Sequence, residues 1–383
     1  MKTLLTNGFL YLNHGFEQKD LLLEDGIISE IEDGIAAGEA EVIDLEGRKV
    51  VPGFFDVHTH GAVNVDVNAA SAEDLESICR FFASKGVTSW LCSVLTDTRE
   101  QTLACIEEYK RWKTIEHKGA NLAGIHLEGP FLCADYKGAM PEHLLQAANL
   151  ELLKEYQKAA EGDIRYITVS PEVDGIVDMI PEIKKLGIQV AIGHSGADYD
   201  TARAAIANGA MAATHTGNAM KLLHQHFPAI WGAVLEDDDL YCEMICDGRH
   251  LHPGTVRLII KTKGLDRVVA ITDSIMASGL PDGKYKLGVN DVIVVDGDAK
   301  LAVGNSRAGS TLTMDVALKN LLDFTGRPLE ELIPVMTENP AKLMGMYDRI
   351  GSIEPGKDGD LVVLDENNKV AATFAKGKMQ FQA

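Results

Sequence analysis

The feature that most constrains this chain is a series of short apolar runs, each ending in polar residues, with amphipathic stretches between them. The runs are "GFFDVHTH" (53–60), "TSWLCSVLT" (88–96), "LAGIHLEGP" (122–130), "RYITVSPE" (165–172), "IQVAIGHS" (188–195), "MAATHTGN" (211–218), "LYCEMICDG" (240–248) and "RVVAITDS" (267–274). A strand that is apolar on both faces belongs inside a parallel sheet covered by helices. The intervening stretches have helical character: "SAEDLESICRFFASKG" (71–86) opens on a serine cap and ends at a glycine, and "PEIKKLG" and "YDTARAAIANG" behave alike. Eight strand–helix units in roughly 250 residues match a TIM-type (β/α)8 barrel. An open, doubly wound sheet is the alternative, but no glycine-rich phosphate fingerprint follows the first run.

The two ends of the chain read differently. "GFLYLN", "KDLLLEDGIISEIED" and "AEVIDLEGRKVV" are short strands punctuated by Gly and Asp, and "GSIEPGKDGDLVVLDENNKVAATFAKGKMQ" has the same character. We therefore expect residues 1–51 and 347–383 to form one small β-sandwich domain, and residues 52–346 the barrel.

The 36 basic and 57 acidic residues give a formal charge of -21. Such a surface repels phosphate backbones and anionic lipid, which argues against nucleic-acid and membrane-surface binding. An anionic small molecule would need a local cluster of donors. The six cysteines form no CxxC pair and no disulfide-framework spacing, as in a reducing cytoplasm. "MKTLLTNGFLYLNHG" is broken by Thr6, Asn7 and Gly8 before a signal-peptide core can form. No apolar run approaches the ~20 residues that span a bilayer. A cytoplasmic protein is expected.

The chemistry sits where the runs end. His58 and His60 alternate along a strand, so both point to one face. His126 and Glu128 follow, then His194, His215, Asp247 with His250, and Asp273. Each alone reads as a cap or a satisfied polar group. So many strand ends carrying imidazole or carboxylate point instead to a metal ion, because these are the ligands of Zn or Fe. The C-terminal face of the barrel is where such enzymes place their chemistry. His126 reads as a structural neighbour of Glu128 and not as a ligand.

The whole chain resembles the amidohydrolase superfamily and, within it, the N-acetylglucosamine-6-phosphate deacetylases. The motifs are "PGFFDVHTHG", "GIHLEGPFL", "SPE", "GHSGA", "ATHTGNAM", "CDGRHLHP", "ITDSIMASGLPDGKY", "GSTLTM" and "NPAKLMGM", in family order. By this resemblance Glu128, His194 and His215 are the principal metal ligands. His58 and His60 match an HxH pair that only some members keep, which implies a second ion: one or two of Zn or Fe per subunit. Asp273 matches the catalytic aspartate, and Asn218, Ala219 and His250 match positions that hold the sugar phosphate. The implied reaction is metal-assisted amide hydrolysis, with Asp273 taking a proton from water and passing it to the leaving amine. The resemblance also implies a homodimer, because relatives reach the phosphate across a subunit boundary.

Three positions depart from the family pattern. Met140 stands in "KGAM" where relatives carry a histidine that contacts the amide, and a thioether cannot donate to an oxyanion. His226 and Phe227 stand in "HQHFPA" where relatives carry Arg-Glu, and a neutral imidazole is a poor substitute for a guanidinium fork. Arg307 in "NSRAGST" replaces a leucine expected against the acyl group. Met140, His226 and Arg307 thus join the candidate substrate contacts. Arg307 is either drift in a surface loop or the mark of a changed substrate. The leading expectation is removal of acetyl from N-acetylglucosamine 6-phosphate. The alternatives are the galactosamine epimer, an unphosphorylated or differently acylated sugar, or a non-catalytic scaffold. A scaffold would have lost ligands, and here all are present.

Overall fold

The computed structural model describes residues 2–304 and 306–383. All eight apolar runs become strands of one parallel sheet: Phe54–Thr59, Val87–Leu95, Asn121–Glu128, Ile164–Val169, Gln189–Ile192, Ala212–Ala213, Tyr241–Ile245 and Val268–Ile271, paired in chain order. The sheet curls until its first and eighth strands meet. There the Asp273 N–H donates to the His58 carbonyl at 2.8 Å and the His60 N–H to that of Ser274 at 2.7 Å. Buried Asp56 fastens the same seam by accepting from the Thr272 hydroxyl at 2.5 Å. The result is the expected (β/α)8 barrel, in which Phe54, Trp90 and Tyr166 are fully buried. Each large apolar side chain so buried contributes about 1.5–3 kcal/mol.

Helices cover the outside for the reasons the sequence signals. The first, Ala72–Ala83, starts at Ser71 with a reciprocal capping box to Asp74, and the turn after it closes at Gly86 with φ +79°. "PEIKKLG" is only the second half of its helix. That helix begins at Ile176 behind Gly175 and holds Pro181 in its interior, so the proline does not mark its start. The α-helices after the eighth strand include Met314–Thr325, Leu329–Met336 and Glu338–Leu343.

The chain ends meet in a second eight-stranded sheet. Strands Leu361–Leu364, Val370–Ala375 and Lys378–Gln382 join Lys49–Pro52, and through it Lys2–Leu12, Gly15–Glu24 and Ile27–Glu32, while Glu41–Asp44 branches from Lys2–Leu12. It has a hydrophobic core of its own, drawn from both ends, that includes Leu5, Leu21, Ile28, Leu361 and Phe374.

One element was not anticipated. Gly283–Leu287, Asn290–Val295 and Asp298–Leu301 form a three-stranded antiparallel sheet after the eighth barrel strand. Its second turn is Asp296-Gly297, both with positive φ (52° and 72°), the geometry a two-residue hairpin requires. This sheet brings Leu287 and the following Arg307 to the mouth of the barrel.

Candidate active site and metal centre

At the C-terminal face of the barrel, strand ends from across the chain converge on a cavity of about 330 Å³. His60, Glu128, Met140, His194, His215, Asn218, Ala219, His250, Asp273 and Arg307 all line it. Two groups of donor atoms lie in or beside it. One is His58, His60 and Asp273, and the other Glu128, His194 and His215; within each group the donors lie within 4.8 Å of one another. Glu128 stands between them. Its Oε1 is 3.1 Å from His194 Nε2, 3.2 Å from His215 Nε2 and 3.3 Å from His58 Nε2. Its Oε2 is 3.2 Å from His60 Nε2. Asp273 Oδ1 lies 3.2 Å from the same His60 nitrogen.

Three of the four imidazoles are oriented from behind. His60 Nδ1 donates to the Ser93 carbonyl at 2.9 Å and His194 Nδ1 to the Tyr136 carbonyl at 2.8 Å. His58 Nδ1 donates to the Glu243 carboxylate at 3.1 Å. With the proton committed to Nδ1, each neutral ring turns a bare Nε2 lone pair inward. Such lone pairs facing two carboxylates repel unless something positive stands between them. The Nε2 atoms of His58 and His60, only 3.2 Å apart, make the same demand. The donor set therefore fits a divalent cation, and imidazole with carboxylate is the set that suits Zn or Fe.

The electrostatics show the same demand for positive charge, whether a cation between neutral rings or a proton on His60 supplies it. Burial disfavours a charged His60, yet Asp273 and Glu128 beside it prevail and push it up to about 9. Burial likewise opposes ionisation of Glu128, but His58, His194 and His215 hold its carboxyl well below the usual range. The pocket carries ionised carboxylate and stabilises positive charge.

The backbone is strained where it presents these groups. His194, His215, Ala219 and Asp273 have φ of 45°, 29°, 47° and 49°, a region that non-glycine residues seldom adopt. Such conformations cost on the order of 1–3 kcal/mol each and persist when surrounding contacts over-determine them. The "SPE" motif supplies part of that support. The Glu172 carboxylate accepts from the Ser195 hydroxyl at 2.7 Å and the Gly196 N–H at 2.5 Å, holding the loop that carries His194.

The other expected residues take varied places. His126 is fully buried and bonded through both nitrogens, to Ser93 Oγ and Thr168 Oγ1 at 2.9 Å each, so it has no lone pair to spare. Asp247 accepts from His250 Nδ1 at 2.7 Å and fixes that ring at the cavity wall. Met140 is buried in an apolar cluster with Leu95, Leu132 and Leu287. Arg307 faces the cavity while its guanidinium grips Asp298 at 2.9 and 3.2 Å. His226 lies on the exposed segment 221–227, apart from the residues lining the cavity of a single chain.

Among the supporting residues that sequence reasoning missed, Glu243 matters most. Glu243 sits in the middle of the seventh barrel strand, fully buried. It accepts from His58 Nδ1, from the His215 N–H at 3.0 Å and from the Tyr166 hydroxyl at 2.6 Å. The available signal was a lone carboxylate in the apolar run "LYCEMIC", which burial tolerates only when it is paired.

Comparison with known proteins agrees with this geometry. The Amidohydrolase family model matches residues 49–380. The N-acetylglucosamine-6-phosphate deacetylase of Bacillus subtilis (strain 168) is 34% identical over 335 residues, 87% of this chain and 84% of that protein. The N-acetylgalactosamine-6-phosphate deacetylase of Escherichia coli O157:H7 is 31% identical, over 96% of this chain and 99% of its own. The solved N-acetylglucosamine-6-phosphate deacetylase from Pasteurella multocida superposes with a TM-score of 0.92 at 30% identity, covering 99% of both chains. A Mycobacterium smegmatis deacetylase mutant solved in complex with N-acetyl-D-glucosamine-6-phosphate gives the same TM-score, 0.92, over 100% of both chains at 30% identity. With sequence, fold and donor groups in agreement, the chain belongs to the amidohydrolase family and, within it, to the N-acetylglucosamine-6-phosphate deacetylases.

Proposed function

We propose that this protein removes the acetyl group from N-acetylglucosamine 6-phosphate by metal-assisted amide hydrolysis, releasing glucosamine 6-phosphate and acetate. The observation that carries the reading is the pair of donor groups sharing Glu128 at the floor of the cavity. These groups would hold one or two ions of Zn or Fe in the working enzyme. When bound, such an ion polarises the amide carbonyl and makes a water acidic enough to ionise near neutral pH. Asp273 takes the proton of the attacking water and delivers it to the departing amine. Its position 3.2 Å from His60 keeps the carboxylate ionised and aimed inward. Asn218, Ala219, His250 and Arg307 surround the sugar phosphate, and Met140 contributes an apolar wall where a donor is absent.

Two further parts of the reading have narrower support. We place the protein in the cytoplasm, since all six cysteines are free and five are buried. We also take it to be a homodimer. Leu222, Leu223 and Phe227 are exposed on the segment carrying His226, and Phe227 is 70% exposed, which a second copy would relieve. That contact would bring His226 to a partner's substrate.

The test is a hydrolysis screen over N-acetylglucosamine 6-phosphate, its galactosamine epimer and the unphosphorylated sugars, reading acetate release, with elemental analysis of the same preparation. One to two equivalents of Zn or Fe and activity on the phosphorylated glucosamine substrate are expected. Chelator-stripped protein that kept full activity would end the metal reading. Preference for the epimer would move the assignment to the galactosamine phosphate.

A further inference from the structure

Glu243 is in none of the metal-donor groups and does not line the cavity, yet it touches both groups from beneath. Its Oε2 takes the Nδ1 proton of His58 at 3.1 Å, which leaves Nε2 of that ring free to face Glu128 and Asp273. The same oxygen accepts the main-chain N–H of His215 at 3.0 Å, helping to hold the strained peptide, φ 29°, that presents the second group. Its other oxygen is claimed by the buried Tyr166 hydroxyl at 2.6 Å, so the carboxylate cannot rotate. A buried carboxylate is expensive without partners, and every partner here is either part of the metal centre or a clamp on the carboxylate.

We propose that Glu243 is a positioning residue that selects the tautomer of His58 and thereby builds the ion site of His58, His60 and Asp273. The proposal rests on the two-ion reading above. Without the carboxylate, nothing among the described contacts commits the proton of His58 to Nδ1, and a proton on Nε2 would point into the place the ion must occupy. Glu128, His194 and His215 do not depend on that choice, because His194 takes its orientation from the Tyr136 carbonyl.

The experiment is a competitive Zn²⁺ titration of chelator-stripped protein, comparing wild type, Glu243→Gln, His58→Ala and the double variant. Glutamine keeps, at the Oε2 position, an acceptor shared by the His215 N–H and the His58 Nδ1 proton, but loses the charge that makes the hold on that proton strong. Wild type should bind two equivalents, and Glu243→Gln should weaken one of them by about 10–100-fold while leaving the other unchanged. In the His58→Ala background, Glu243→Gln should have no further effect on the ion that remains. Equal weakening of both equivalents, or a loss that persists without His58, would mean a general support of the barrel and would overturn the proposal. Unchanged affinity for both would overturn it as well. A single equivalent in wild type would refute the two-ion reading itself and the proposal with it. Should Glu243→Gln not fold, Tyr166→Phe frees the carboxylate to rotate and must weaken the equivalent that depends on His58 more than the other, or the proposal fails.

Discussion

Asp273→Asn is the substitution that most directly tests the chemistry. Asparagine has nearly the shape of aspartate and is, with aspartate, among the few non-glycine residues enriched in left-handed backbone. The φ of +49° at residue 273 is therefore tolerated. The main-chain bond to the His58 carbonyl at 2.8 Å, which helps close the barrel, is untouched. What changes is one oxygen 3.2 Å from His60 Nε2 and 3.6 Å from His58 Nε2. An amide neither accepts a proton from water nor returns one to the amine. Removing such an acid–base group costs on the order of 10²–10⁴-fold in rate. At 1.36 kcal/mol per tenfold, this is about 3–5 kcal/mol of barrier. Acetate release from N-acetylglucosamine 6-phosphate, measured beside thermal melting and metal content, reads the effect. We expect kcat to fall by that factor with the melt unchanged and Glu128, His194 and His215 still holding their ion. A variant that kept more than about a tenth of the wild-type kcat would show that another group moves the proton.

Two further predictions follow from single residues. Arg307→Leu should lower kcat/KM for the phosphorylated sugar about tenfold, less than the full range for a charge-assisted contact because Asp298 shares the guanidinium, and should barely affect the unphosphorylated sugar; equal losses on both would mean that Arg307 only braces its loop. Asp360 is fully buried, and burial pushes its carboxyl up to about 6 from the ordinary 3.8. Because the folded value is raised, the favourable contribution is complete below about pH 4 and is lost as pH rises through 6. Asp360→Asn escapes that loss, so its stability in urea should gain on wild type by up to about 3 kcal/mol between pH 4 and 7; a pH-independent difference would contradict the assignment.

The sequence alone determined the barrel and most of its active face. Strand and helix periods are local properties, so eight apolar runs with helical stretches between them could be found without knowing what they touch. The alternation of His58 and His60 predicted convergence for the same reason, and the structure places their Nε2 atoms 3.2 Å apart. The resemblance to the deacetylases then supplied the candidate roles of Glu128, His194, His215 and Asp273.

Tertiary structure decided everything that depends on which distant residues meet. The three-stranded sheet Gly283–Leu301 carried a hairpin signal at Asp296-Gly297, but its position over the barrel mouth follows from packing. Arg307 reads as a free cation along the chain, and only the fold sets Asp298 across its guanidinium. Glu243 is the sharpest case. In the sequence it is one carboxylate among apolar neighbours, and its meaning comes from His58, 185 positions earlier, and Tyr166, 77 positions earlier. Periodicity specifies the face a side chain takes, whereas its chemistry depends on what stands opposite when the barrel closes.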